Sequence, residues 1–219
     1  MQYKMIAVIL IAGFSASAMG DIGVGIEAGT TGYGADIAYK LSDSVAARIG
    51  YTGLNYSHSM SDTDIKYDAK LKLSNLKAVA DWNLIGGFRL TGGVYVHDNK
   101  VDLNGEPNGS TYTINGDTYQ ASQIGSVKGR VKFGSSVSPY LGIGYGMIAD
   151  KGFGFFADVG AIYMGKAKVS VDASCGSAMP ASSCAQLQSD VEHERQKVYD
   201  KLNGYRFWPV VSVGVSYAF

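Results

Sequence analysis

The 219-residue chain has only two cysteines and four prolines, and its formal net charge is zero, with 19 Lys+Arg against 19 Asp+Glu. Balanced charge gives no electrostatic footprint for nucleic acid, so a nucleic-acid partner is not expected. Two cysteines, Cys175 and Cys184, without nearby His or further Cys at metal-ligand spacing, argue against a zinc site, and no metal or cofactor is expected. No segment after the N-terminus holds 18 consecutive apolar residues, which excludes a transmembrane helix of ordinary length. Phosphate-cradling loops are lacking as well. The glycines of Gly142-Ile143-Gly144-Tyr145-Gly146 alternate with apolar residues and mark close strand packing.

Glycine (29 residues) and tyrosine (15 residues) are abundant, while apolar residues still make up 46% of the chain. That combination points to an ordered all-β protein rather than a disordered one. The first twenty residues differ from the rest. Lys4 is followed by the apolar run Met5–Phe14 and then by Ser15, Ala16, Ser17, Ala18, Met19 and Gly20. A basic start, a short apolar core and small residues near a cut site predict a signal peptide over 1–20, with the functional domain at 21–219. Ten apolar residues span only ~15 Å as a helix, about half of a bilayer core. Export to an oxidising compartment predicts a Cys175–Cys184 disulfide.

The remainder alternates with a period of two. Ile22, Val24, Ile26 and Ala28 share a face, as do Ala35, Ile37, Tyr39 and Leu41, and then Val45, Ala47, Ile49 and Tyr51. In the fourth strand Tyr67, Ala69, Leu71 and Leu73 give way to Leu76, Ala78, Ala80 and Trp82, a parity slip that predicts a bulge near Ser74-Asn75. Further strands are expected at 88–96, 127–133, 141–147, 153–163, 168–173 and 207–219. Asn115-Gly116 inside the long polar insertion 97–124 predicts a tight hairpin. Leu187, Val191, Val198 and Leu202 predict one short amphipathic helix over 183–203 before the last strand, with Ser183/Gln186 as a capping box and Asn203-Gly204 as its stop.

The opposite faces carry Glu27, Asp36, Lys40, Arg48, Lys70, Lys72, Arg89, Lys128, Arg130, Lys132 and Asp158 with many glycines. A secreted sandwich could show these charges on its wet side. Aromatics at strand ends, strands of 9–11 residues and short turns (Ser42–Ser44, Leu84–Gly87, Ser135–Ser138) alternating with longer loops favour a membrane barrel. The expectation is an all-β, antiparallel transmembrane β-barrel of about ten strands, with eight as the alternative if 168–173 and its partner stay out of the wall. Eight strands leave an interior just filled by side chains.

The terminal Val-Ser-Val-Gly-Val-Ser-Tyr-Ala-Phe resembles the closing strand of outer-membrane barrels. That resemblance implies that Tyr217 and Phe219 act as an assembly signal read by the barrel-assembly machinery. Tyr-Asp-Ala-Lys-Leu-Lys-Leu, Phe-Arg-Leu-Thr-Gly-Gly and Pro-Tyr-Leu-Gly-Ile-Gly-Tyr-Gly are similar to segments in a family of small, largely uncharacterised proteobacterial outer-membrane proteins. The resemblance implies a porin-like fold in the Gram-negative outer membrane, with outer-membrane lipid around it, and carries over no functional residues.

For function the charged face is the main lead. Glu27, Asp36, Arg48, Arg89, Lys128, Arg130, Lys132 and Asp158 are read as lumen charges. The run Lys128, Arg130, Lys132 points to a narrow, non-enzymatic, anion-preferring channel for a small solute. The alternative is a lumen plugged by ion pairs and a barrel that binds a surface ligand through its external loops. A rim hydrolase built on His58, His97 and nearby Asp62, Asp64 and Asp98 comes third, since no nucleophile motif accompanies them and no catalytic residues are assigned. Asp102, Asn104 and Glu106 lack a full calcium-loop pattern.

Overall fold

The computed structural model describes residues 21–61, 65–107, 111–120, 123–148, 151–177 and 179–219. The expected signal peptide at 1–20 and the pair Asp62 and Asp64 lie outside them. The elements are β1 (Ile22–Gly29), β2 (Gly32–Lys40), β3 (Val45–Ser61), β4 (Ile65–Ile85), β5 (Phe88–His97), β6 (Lys100–Pro107), β7 (Thr111–Ile114), β8 (Asp117–Gln120), β9 (Ile124–Lys132), β10 (Val137–Tyr145), β11 (Gly152–Tyr163), β12 (Lys168–Cys175), α1 (Ala181–Leu202) and β13 (Phe207–Ala218).

Antiparallel pairing runs β4-β3-β2-β1-β13-β11-β10-β5 and returns from β5 to β4, which closes a ring of eight strands. The strand number is thus the lower of the two expected. Segments 127–133 and 168–173 are strands, but both lie outside the ring. The faces settle the choice against a sandwich. Ile26, Ile49, Leu141, Phe155 and Val213 are each at least 59% exposed and point outward, whereas Glu27, Asp36, Arg48, Lys77, Asp81, Arg89 and Asp158 are buried inside. An apolar outside around a charged inside is stable only with lipid as the surrounding solvent. Tyr33, Tyr51, Tyr163 and Phe207 rim one end of the apolar belt, and Tyr39, Trp82, Phe88, Tyr145, Tyr217 and Phe219 rim the other, as exposed aromatic girdles.

Residues 21 and 219 lie at one mouth with the turns 41–44 and 86–87 and the strand ends at Tyr145 and Gly152. Gly86 and Gly87 take positive φ (61° and 83°) in the hairpin turn that the Gly-Gly pair foretold. All larger excursions lie at the opposite mouth. The Ser135–Ser138 turn belongs to that opposite mouth, a correction to its expected place among the short turns of the other.

Five neighbouring wall strands continue past the rim. The upper part of β3 pairs with β4 without a register break up to Ser61↔Lys66. β6 pairs with upper β4, β9 with β6, and β12 with β9. β5–β6, β9–β10 and β11–β12 behave as long strands interrupted at the rim by 98–99, 133–136 and 164–167. These breaks are stitched by backbone bonds such as Asp98 N–H to Ser74 O (3.0 Å) and His97 N–H to Ser136 O (2.8 Å). The expected bulge near Ser74-Asn75 is absent from the β3–β4 ladder. Parity slips in the sequence because the solvent outside the wall changes from lipid to water. Below the rim the outward residues of β4 are Leu76, Ala78, Ala80 and Trp82, and above it they are Lys72 and Lys70.

The inner face of the outer sheet is apolar and partly roofed by α1. Leu187 and Val191 pack with Tyr119, Ile124, Val127 and Val171. β7 and β8 form the hairpin expected at Asn115-Gly116, with φ of 53° and 96°. Cys175 and Cys184 are joined by the expected disulfide, with Cα atoms 5.8 Å apart, tying β12 to the first turn of α1. The helix begins two residues earlier than expected, after Pro180, and no side chain caps it, so the Ser183/Gln186 box does not form. Its end is Asn203, in αR conformation, whose N–H bonds Tyr199 O. Only its first half is buried, and Val198 stays 38% exposed.

Asp190 is the polar anchor of this helix. It accepts hydrogen bonds from the Tyr119 hydroxyl, Asn115 Nδ2 (3.3 Å) and Gln186 Nε2 (3.3 Å). Those donors hold its carboxyl below the usual 3.8, with Tyr119 the main cause. A depressed folded pKa stabilises docking above the unfolded value and loses that contribution as pH falls through the folded one. Within 181–202, wild type should therefore be cut by pepsin more slowly than Asp190→Ala at about pH 4.5, and the two rates should converge as pH falls through the depressed carboxyl pKa. Reducing the Cys175–Cys184 bridge, which closes a ten-residue loop, removes ~3 kcal/mol of constraint on the unfolded segment. Hydrogen exchange should speed up in α1 and not in β1, β2 or β13.

Candidate functional site

The interior of the ring is the place where charge is concentrated. Arg48 on β3 and Arg89 on β5 face Asp81 on β4 and Asp158 on β11. Arg48 Nη1 lies 2.9 Å from Asp158 Oδ2, and its Nε lies 3.0 Å from Asp81 Oδ2. Arg89 Nη2 lies 2.7 Å from Asp158 Oδ1, and its Nε 3.3 Å from Asp81 Oδ1. Thr91 donates to Asp81 (2.6 Å), and Arg89 also donates to the Tyr145 carbonyl (3.1 Å). A second cluster sets Lys77 Nζ on β4 against Glu27 (2.5 Å) and Asp36 (3.0 Å), with Ser212 donating to Glu27.

These seven charged side chains number three cations and four carboxylates, each at most 6% exposed. Burial of single charges is prohibitive, while interlocked pairs with extra hydrogen bonds are tolerated. Room for them comes from glycine. A Cβ on Gly144 would sit 2.7 Å from both Arg89 Cζ and Asp158 Oδ1, and one on Gly50 would sit 1.8 Å from Asp36 Oδ1. The Phe156 ring lies 5.9 Å from the Arg48 guanidinium and 6.0 Å from that of Arg89.

Two apolar clusters pack beside the charges, and on β4 the inward Val79 stands between Lys77 and Asp81. Ala38, Ala46, Met147, Ile148 and Phe156 fill the mouth nearest the chain ends. Val79, Tyr95, Tyr140, Ile162, Met164 and Val210 fill the other side. At the rim Asn75 Nδ2 donates to Thr31 O (3.0 Å), and Asn99 Nδ2 to Asn75 Oδ1 (2.8 Å).

Of the lumen charges expected from sequence, Glu27, Asp36, Arg48, Arg89 and Asp158 are brought together inside. Lys128, Arg130 and Lys132 are not. They lie on β9, above the rim, exposed on the outward face of the sheet. Their alternation was read with lipid-side logic, but the outside of β9 is water, so its charged face points out and its apolar face in. Lys77 and Asp81 were missed. The outward set Leu76, Ala78, Ala80 and Trp82 places both inside by parity alone.

Among the described residues the rim histidines do not assemble a site. His97 Nε2 lies 3.0 Å from Ser138 Oγ, and its Nδ1 has no partner among the described residues. His58 stacks on Tyr56, and His193 lies on α1. Asp102 is on a strand, paired with Arg130 rather than shaped into a calcium loop.

The ring with its raised sheet has solved counterparts. The chain is similar to CarO of Acinetobacter baumannii. One crystal structure of CarO superposes with a TM-score of 0.60 at 24% identity, and that of CarO2 with 0.60 at 27% identity. Each alignment covers 91% of this chain and 98% of the other, so the likeness to CarO takes in the outer sheet as well as the ring. No protein-family model and no curated protein matches the chain. The CarO likeness supports an outer-membrane β-barrel protein.

Asp158 is shared by both arginines, so Asp158→Ala should cost ~3–5 kcal/mol by breaking two buried ion pairs at once and leaving Asp81 alone between the two guanidinium groups. A urea titration of the detergent-folded barrel should show a clearly lowered midpoint. Arg130→Ala, at an exposed position, should leave that midpoint where it is.

Proposed function

We propose that the protein is a non-enzymatic outer-membrane barrel with a closed lumen, working through the sheet and helix it raises on the external side. The observation that carries this reading is the ionic layer. Three inward cations are locked to four inward carboxylates and packed among two apolar clusters, which leaves no uncompensated positive charge to draw an anion. An ion entering would have to displace buried guanidinium–carboxylate pairs. The anion-preferring channel loses its main support, because Lys128, Arg130 and Lys132 lie outside the ring.

The external side is assigned from loop length. Outer-membrane barrels keep short turns inside and longer elements outside, and the mouth opposite the chain ends bears β6 to β9, β12 and α1. Outer-membrane lipid then surrounds the belt. The barrel-assembly machinery would read the C-terminal Tyr217 and Phe219, which lie on the exposed lipid-side face. A small solute is the less favoured partner, and a ligand at the cell surface the better one.

In planar bilayers at two salt concentrations, the folded protein should give no discrete conductance steps. Removing both arginines (Arg48→Ala with Arg89→Ala) should produce steps if the variant folds, because their arms fill the midsection. Stable, anion-selective steps from wild type would overturn the closed-lumen reading.

A further inference from the structure

The outer sheet carries a feature that the closed lumen leaves unused. Register places Lys72 opposite Lys100, Lys100 opposite Lys132, and Lys132 opposite Lys168. Four lysines thus stand in one row, one per strand, across β4, β6, β9 and β12. Directly opposed like charges destabilise a sheet, so a row of four is costly without a counter-charge. Asp98 supplies part of it, 3.2 Å from Lys100 and 2.9 Å from Lys132. Lys72 and Lys168, at the two ends, make no ion pair among the described residues. The next rows add Lys70, Arg130 and Lys128, against Asp102, Asp172 and Asp68.

The position of the row identifies its counterpart. Lys72 has the same parity as Leu76, and the β3–β4 ladder has no register break between them. The row therefore continues the lipid-facing wall directly. Lys72 lies four residues beyond Leu76 and Lys100 four beyond Val96, the last apolar outward residues of their strands. Four residues are ~13 Å along a strand, or ~10 Å along the axis at a tilt near 40°. Headgroups extend ~5–8 Å beyond the hydrocarbon core, within reach of lysine side chains that bend down toward them from that height. With strands ~4.8 Å apart, the row is ~14 Å long, enough to meet more than one phosphate at once.

We infer that this lysine row is a binding surface for the phosphates of an anionic lipid headgroup in the external leaflet, best matched by a glycolipid carrying two phosphates. The row supplies the counter-charge that the leaflet lacks, and the leaflet relieves the lysines' mutual repulsion. The inference rests on the external placement of the sheet proposed above. It is independent of whether the lumen conducts.

The test is lipid retention by the full folded protein in non-ionic detergent, read by native mass spectrometry. The probes are bisphosphorylated lipid A, its monophosphoryl form, phosphatidylcholine and inorganic phosphate. Wild type should retain bisphosphorylated lipid A over the monophosphoryl form, retain little phosphatidylcholine, and lose the anionic lipid as salt rises. Each lysine near an anionic surface contributes about fivefold in affinity, so K72Q/K168Q should weaken retention about 30-fold, while K201Q on the helix should not. Heat-modifiable gel mobility confirms that each variant is folded. Equal retention by wild type and K72Q/K168Q would overturn the inference, as would equal retention of phosphatidylcholine. Competition by millimolar inorganic phosphate would assign the row to free phosphate instead and would also overturn it. Retention in detergent does not depend on localisation, so cell fractionation tests the placement separately: loss of the protein from the outer-membrane fraction would sink that placement while leaving the lipid chemistry standing.

Discussion

Everything in this protein depends on the closure of one sheet. In hydrocarbon every backbone N–H and C=O must find a partner within the protein, so a sheet that enters lipid has to return upon itself. Eight strands are enough to do so when β5 pairs back onto β4. Eight strands also leave an interior only wide enough for side chains. The consequence is severe for charge. Arg48, Arg89, Lys77 and their four carboxylates are shut away from water, so they must pair with one another, with Gly50 and Gly144 giving way to their bulk.

The wall above the rim obeys the opposite rule. The same strands cross the rim without a change of register in β3 and β4, yet their outward face turns from Leu76 and Trp82 to Lys72 and Lys70. Nothing in the backbone makes the change. The surrounding solvent does, because an outward apolar side chain gains nothing in water and an outward lysine gains its hydration. The apolar face then needs a cover, and α1 provides it in part, held by Leu187, Val191, the Asp190 anchor and the disulfide at Cys175.

The pattern of one solvent on one stretch of wall and another on the next accounts for what was legible in the sequence. Within the membrane belt the alternation is clean, and Glu27, Asp36, Arg48, Arg89 and Asp158 lie buried on the face opposite the apolar one. Lys77 and Asp81 were equally readable from the parity of Leu76 to Trp82, but the slip above them was taken for a bulge. Lys128, Arg130 and Lys132 were misread because alternation reports only that two faces differ. It does not report which face is inside, and above the rim the two exchange roles. The helix was found from its apolar spacing, although its start is fixed by Pro180 rather than by a Ser183 cap.

By itself the sequence determined an antiparallel all-β chain with one helix, a hairpin at Asn115-Gly116 and aromatics at strand ends, because these follow from local periodicity and turn chemistry. The Cys175–Cys184 bridge was likewise legible from there being only two cysteines. Only the tertiary structure decided that eight strands close the ring, that β6, β9 and β12 stand above it, and which carboxylate meets which arginine. Those are matters of pairing between residues far apart in the chain. No local pattern distinguishes a strand that joins a neighbour within lipid from one that joins the same neighbour above it.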